Sequence, residues 1–377
     1  MPVEFRYATL GEYQRVSDFL DQHWAKGHVY TRKRDLFDWT FHRSGHWDTN
    51  TYSFSLALDG SELVGILGGI PFTLNRFGET SKAVWIVNYV VRIDYRKGAT
   101  ALQLLSSFRR PEFAAVVAFG INPATVAIYQ VLRGRVLPEI PRHFLVMPRQ
   151  QDRMTRALKI AYPDWSEERV SNLTSSFQLS KLPHAPPQVG ISLPASWDQR
   201  DWPLLAIGTV GASRDADYLD WRYRRHPLFD YQFLTVEEGN RTGLAVWRLE
   251  TIHKETPRGR EEVDRIARLV EFLPASSANA EGLFGAFLRQ ANEAGAMAAD
   301  FYGYHGETRK WLHEMGFRGS ESDLDGNALP SRFQPLDAKG GGIMSAIFLQ
   351  SGDAPTSTDS TCSWYWTKSD SDQDRPN

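Results

Sequence analysis

One cysteine, Cys362, is all that the 377 residues carry. That excludes an intramolecular disulfide and fits a reducing compartment. Long uncharged apolar runs are also missing, so no helical membrane span is expected. No basic-then-apolar leader opens the chain, and the expected location is the cytoplasm. An excess of charge of one sign is missing too. Lys and Arg number 43, Asp and Glu 45, and the net charge is −2. That balance argues against broad contact with a phosphate backbone, so no nucleic-acid partner is expected. Asp370-Ser371-Asp372-Gln373-Asp374 opens like a calcium loop. It lacks the sixth-position glycine and the distal glutamate, so no metal is expected.

What is present suits two domains. Hydrophobic residues make up 42% of a length that exceeds one ordinary core. The most informative stretch is Ala83 to Leu105. Ala83 to Ile93 is apolar and β-branched, as in a strand buried on both faces. Asp94 to Gly98 breaks it. Ala99 to Phe108 then places Ala101, Leu102, Leu104 and Leu105 at helical spacing. A helix that begins directly after a strand offers free N–H groups to a pyrophosphate, and small residues let it approach. Phe113 to Gly120 reads as another buried strand. It leads to Asn122 and, seven residues on, Tyr129, two helical turns apart and on one face.

This layout resembles the GNAT superfamily of acyl-CoA-dependent N-acyltransferases. Their turn reads Arg/Gln-x-x-Gly-x-Gly/Ala. Here it is Arg96-Lys97-Gly98-Ala99-Thr100-Ala101, with Arg96 and Ala101 in place. Ala99 stands where the family prefers glycine, and Gly98 comes one position early. The resemblance implies an acyl-CoA site formed by Val91, Arg92, Arg96, Lys97, Gly98, Ala99, Thr100, Ala101, Asn122 and Tyr129. It puts Asn122 near the pantetheine arm and Tyr129 near the sulfur, where a phenol suits protonation of a leaving thiolate. Many members carry a carboxylate three residues before the valine aligned with Val91. This chain has Asn88 there, which is no base. His143, His226, His305 or an aspartate of the tail then become candidates for that role, unless the amine arrives neutral.

The chain also repeats itself. Asp38-Trp39-Thr40-Phe41 returns as Asp220-Trp221-Arg222-Tyr223, and each copy precedes a Tyr-led alternating strand and a glycine-bearing partner (Gly65, Gly243). The second copy continues through a strand at Ala267 to Leu273. Pro274 to Asn279 follows without arginine or glycine, so the phosphate turn is degenerate. The expected fold is therefore α/β (α+β mixed sheet), as two tandem GNAT-like domains, each a mixed, mostly antiparallel sheet flanked by helices. The expected boundaries are 1–148 for the acyl-CoA domain, 149–195 for a connector with a helix at Gln151 to Tyr162, 196–352 for the second domain and 353–377 for a docked tail. Three tail aspartates could contact sugar hydroxyls or a protonated amine, and could equally cap a helix or bind arginine; His305, Trp366, Asp370 and Asp372 are the expected substrate set.

A tandem GNAT layout with such a tail is similar to bacterial N-acyltransferases that modify a nucleotide-linked deoxyamino sugar for O-antigen or other surface polysaccharide. The resemblance implies an acetyl or 3-hydroxybutyryl type of acyl group, acyl-CoA as co-substrate, no tightly bound cofactor, and Tyr129 and Asn88 at the catalytic position. A homodimer is among the expected assemblies. Two alternatives stand beside it. One is an aminoacyl-tRNA-dependent peptidyl transferase, which needs a basic face that a net charge of −2 does not favour. The other is a non-catalytic GNAT-like binding protein.

Overall fold

The computed structural model describes residues 2–122, 125–257, 259–319, 344–349 and 361–375. The first half opens with β1 (Glu4–Thr9), followed by helices α1 (Tyr13–His23), α2 (Val29–Arg32) and α3 (Arg34–Phe41). Then come β2 (Thr51–Asp59), β3 (Glu62–Arg76) and β4 (Glu79–Val91), joined by tight hairpins. Gly60 turns the first at φ 60°, while Phe77 and Gly78 turn the second at φ 54° and 94°. Both central residues of a two-residue loop sit left-handed there, the geometry that matches strand twist. Beyond β4 lie α4 (Thr100–Ser106), β5 (Ala115–Ile121), α5 (Val126–Val131), β6 (Arg135–Leu137) and β7 (Arg142–Val146).

The middle holds α6 (Gln151–Ala161) and α7 (Glu167–Ser176). This is no plain connector. Met154, Ala157, Leu158, Val170 and Leu173 close a core with Phe144 and Val146. Helical spacing of those apolar residues gives each helix one face to bury. The second half begins with α8 (Trp202–Ala206), β8 (Val210–Ala212) and α9 (Ala216–Leu219). It continues through β9 (Gln232–Glu238), β10 (Arg241–Thr256), β11 (Gly259–Leu273), α10 (Ser277–Glu293), β12 (Ala298–Tyr302), α11 (Gly306–Glu314) and β13 (Arg318–Gly319). Two strands remain, β14 (Met344–Leu349) and β15 (Trp364–Tyr365).

The two halves repeat one plan. β4 runs parallel to β5, and β11 runs parallel to β12, while their other neighbours are antiparallel. Trp39 and Trp221 stack at 4.9 Å, 18° from coplanar. Each indole N–H donates to the other's carbonyl, at 3.2 and 3.4 Å. Equivalent residues meeting each other across a junction is the hallmark of a two-fold contact, here inside one chain.

The sheets nevertheless exchange strands. One sheet runs β1-β2-β3-β4-β5-β14-β6, with β8 on β3 and β15 on β8; the other runs β13-β7-β12-β11-β10-β9. So β7, from the first half, pairs with β12, and β14, from the second, lies between β5 and β6. The expected boundary at 148 therefore does not separate the sheets. Alternating apolar residues mark a strand, but they do not say which strand it will join. Among the described residues, no helix is long and apolar enough to cross a membrane.

Residues 364–374 are buried throughout. Trp366 packs on Trp85, Phe72 and Phe119, with ring centroids near 6 Å. The aspartates meet arginines of the second half. Arg214 pairs with Asp370 at 2.9 Å and with Glu271 at 2.8 Å. Arg248 grips Asp374 with two nitrogens, at 2.6 and 3.1 Å. Tyr231 donates to Asp374 at 2.6 Å. A planar guanidinium facing a carboxylate in this way gives direction as well as charge.

Candidate active site

β4 carries the site. Its pairing with β5 runs from Ala83↔Ala115 to Ile86↔Ala118 and stops, although β4 continues to Val91. On its other side Val87 faces Gly68 and Val90 faces Ile66. Asn88 and Tyr89 are thus set against Leu67 alone, a bulge that bends the strand away. Asn88 takes the left-handed conformation, φ 51°, which asparagine tolerates better than most residues. The two parallel strands splay from that point. No strand among the described residues pairs with the freed edge of β4. In the second half the matching edge is filled. The Tyr365 hydroxyl accepts from the N–H of Phe272 at 3.0 Å and donates to its carbonyl at 3.1 Å, and Thr367 bridges to Gly303.

Asn88 is 8% exposed, and its Oδ1 is buried without a hydrogen-bond partner among the described residues. Buried acceptors are ordinarily satisfied, which makes this oxygen a candidate contact for a ligand. Trp366 and Gln373 of the tail close the same splay from the β5 side. The Gln373 amide donates to the Phe119 carbonyl at 3.4 Å. Gly120, at φ 76°, leaves room that a Cβ would take, 2.6 Å from that amide. Neither Gln373 nor Gly120 stands out in the sequence, because the contact spans 254 positions.

The turn after β4 is exposed from Arg96 to Ala99, while Thr100 is buried. The backbone N–H groups of Ala99 to Leu102 meet no acceptor among the described residues; helical bonding begins with Gln103 to Ala99. Ala99 caps without a side-chain bond. Arg96 donates to the Val91 carbonyl at 2.8 Å, and the Val91 side chain lies in the core. Arg92, expected at the phosphates, is engaged by Glu62 and Asp94 instead. From residue 96 to 135 the chain carries Arg96, Lys97, Arg109, Arg110, Arg133 and Arg135 against one acid, Glu112. Glu112 is itself paired with Arg110. A chain of net charge −2 therefore concentrates cations on this segment, which favours an anionic ligand.

Tyr129 is buried on the α5 face beside Phe348. Burial pushes its phenol up to about 12. It is thus protonated at neutral pH, the state needed to donate a proton. Tyr89, whose hydroxyl donates to the Ala101 carbonyl, is close enough to interact with Tyr129 electrostatically. Asn122 is exposed at the end of β5, and its carbonyl accepts from Thr125 at 2.8 Å.

The expected substrate set does not assemble here. Asp370 is wholly buried, held by Arg214 and by the Tyr218 hydroxyl at 3.2 Å. Asp372 is buried against Arg375 and Gln373. Trp366 presents its ring to the aromatic core. An aromatic, acidic run reads as a recognition surface in sequence, but buried arginines far along the chain claim Asp370 and Asp374, and the neighbouring Arg375 claims Asp372. His305 lines a cavity of about 420 Å³ in the second half, with Trp202, Trp311 and Tyr365. Its Nδ1 lies 3.0 Å from the Thr308 hydroxyl. The other histidines also lie elsewhere. His143 is on β7 beside Phe301, where burial lowers it to about 4. His226 stacks on Phe229, and its Nδ1 accepts two backbone N–H groups; burial lowers it to about 3.

No protein-family profile and no curated protein matches this sequence. Solved structures do match. N-myristoyltransferase of Saccharomyces cerevisiae, with myristoyl-CoA bound, aligns at TM-score 0.53 and 13% identity, over 92% of this chain and 84% of its own. A GCN5-related N-acetyltransferase from Anabaena variabilis aligns at 0.52 and 11%, over 92% and 73%. A probable N-acyltransferase from Enterococcus faecalis, of unknown function, aligns at 0.54 and 9%, over 92% and 72%. At such identities the fold is what is shared. It is the GNAT fold in two copies.

Proposed function

We propose that this chain is an acyl-CoA-dependent N-acyltransferase, with the acyl-CoA site in its first half and a structural second half. The observation that carries the reading is the splay between β4 and β5. It leaves a free backbone edge beside a buried, unsatisfied Asn88 Oδ1, with a protonated Tyr129 on the flanking helix. A thioester laid along that edge meets backbone donors for its developing oxyanion. The amine nitrogen attacks the carbonyl carbon, the C–S bond breaks, Tyr129 protonates the departing thiolate, and the amine's surplus proton returns through solvent to the Tyr129 phenolate. The cations of residues 96–135 suit the phosphates of CoA. The fold neighbours named for N-acyl transfer, one of them holding myristoyl-CoA, support the same chemistry.

The acceptor class we favour is the amino group of a nucleotide-linked deoxyamino sugar, acylated in the cytoplasm with an acetyl or 3-hydroxybutyryl group. This rests on the sequence resemblance. The tail aspartates do not add to it, since Asp370 and Asp374 are engaged internally. Calorimetric titration with CoA and acetyl-CoA, on the wild type and Ala101→Arg, tests the reading. Binding to the wild type that the variant loses is expected. Absence of binding to the wild type, or equal binding by the variant, overturns the proposed site.

A further inference from the structure

Four of the eleven exposed large hydrophobic side chains among the described residues surround the proposed donor site. They are Ile93 at 79% exposed, Leu102 at 49%, Ile128 at 56% and Val131 at 81%. Ile93 sits in the turn after β4, Leu102 on the outer face of α4, and Ile128 and Val131 on the outer face of α5. Both helices pack their inner faces on the same side of one sheet. β4 and β5 are parallel, so the turn and α5 emerge at the same end of that sheet. Arg96, Lys97 and Arg133 are exposed among these apolar residues.

The fold does not demand this. The corresponding helices of the second half turn Ser277, Ala278, Glu281 and Arg289 of α10 and Glu307 and Lys310 of α11 outward. Large exposed apolar side chains on these paired helices are therefore particular to the half with the open splay; those of the second half, Leu204 and Ile207 among them, lie outside α10 and α11. A nucleotide asks for cations and hydrogen-bond donors and gains little from isoleucine and valine. A surface that joins apolar side chains to positive charge, inside an otherwise acidic chain, fits an acidic protein surface.

We propose that the face formed by Ile93, Leu102, Ile128, Val131, Lys97 and Arg133 docks an acidic carrier protein. That carrier delivers the acyl group as a thioester on a phosphopantetheine arm. The inference rests on the acyl-transfer reading above and changes what bears the arm. The chemistry is unchanged: the amine forms the C–N bond, the C–S bond breaks, Tyr129 supplies the thiol proton, and the amine's surplus proton passes through solvent to restore the Tyr129 phenol. The products are an amide and the carrier's free thiol.

The experiment titrates acetyl-loaded acyl carrier protein, and separately acetyl-CoA, into the wild type and the Ile128→Asp/Val131→Asp double variant. Both positions are exposed, so thermal unfolding should match the wild type. The double variant should bind the acetyl-carrier at least about tenfold more weakly, as expected of central apolar contacts, and acetyl-CoA equally well. Raising the salt should weaken carrier binding to the wild type. No binding of the carrier, or equal binding by both proteins, overturns the proposal and leaves the acyl-CoA reading standing. Anionic vesicles that co-sediment with the wild type and not with the double variant, while the carrier does not bind, overturn it in favour of a membrane surface. Failure of both the carrier and acetyl-CoA to bind ends the acyl-transfer reading itself.

Discussion

Asp374→Ala tests whether the tail is a built part of the interior. The Asp374 carboxylate is fully buried and accepts from two nitrogens of Arg248 and from Tyr231, with Arg268 3.9 Å away. These partners hold its pKa far below the ordinary carboxylate range. Removing it leaves the buried Arg248 facing Glu250 alone. Breaking a buried pair by deleting one partner costs about 3–5 kcal/mol. Asp374→Asn keeps the shape and loses the charge, and should cost about 2 kcal/mol. Replacing both partners, as Arg248→Met with Asp374→Leu, should recover most of the loss. Because the folded pKa lies below the unfolded value of about 3.9, the charge contributes stability above that pH. The contribution is constant from pH 7 down to about that value and is lost only below it, so the gap between wild type and Asp374→Asn should hold from pH 7 to about pH 4 and begin to narrow between about pH 4 and pH 3. Urea unfolding of the four proteins across that range reads every term. A loss below about 1 kcal/mol for Asp374→Ala, with no coupling to Arg248, would refute the claim that this pair anchors the tail.

Three further outcomes are expected. Tyr129→Phe should lower turnover by about a hundredfold or more while leaving the acyl-CoA dissociation constant unchanged. With its phenol raised to about 12, Tyr129 should also impose no fall in wild-type turnover below about pH 10; steady-state kinetics and calorimetry check both. Gly120→Ala should destabilise by about 1–2 kcal/mol from the left-handed backbone alone, since the Gln373 amide it would meet can shift. An unchanged unfolding midpoint would show that Gly120 relaxes to another conformation.

Much of the fold is legible in local pattern. Alternation in Tyr52 to Leu58 and helical spacing in Tyr13 to Trp24 need only neighbours in the chain, so the strands and helices could be read directly. The Asp-Trp repeat foretold two copies of one plan, and the tertiary structure turned it into a stacked, reciprocally bonded pair. The basic, small-residue turn after a buried strand was equally plain. What local pattern could not decide was pairing at long range. It did not say that β7 and β14 would cross between sheets, because a strand's alternation is satisfied in either. It did not say that Arg248 would claim Asp374 across 126 residues, which turned an apparent recognition tail into interior. Nor did it reveal that Asn88 sits left-handed on a bulge, with its oxygen unsatisfied. That conformation follows from the register between β3 and β4, which only the assembled sheet sets.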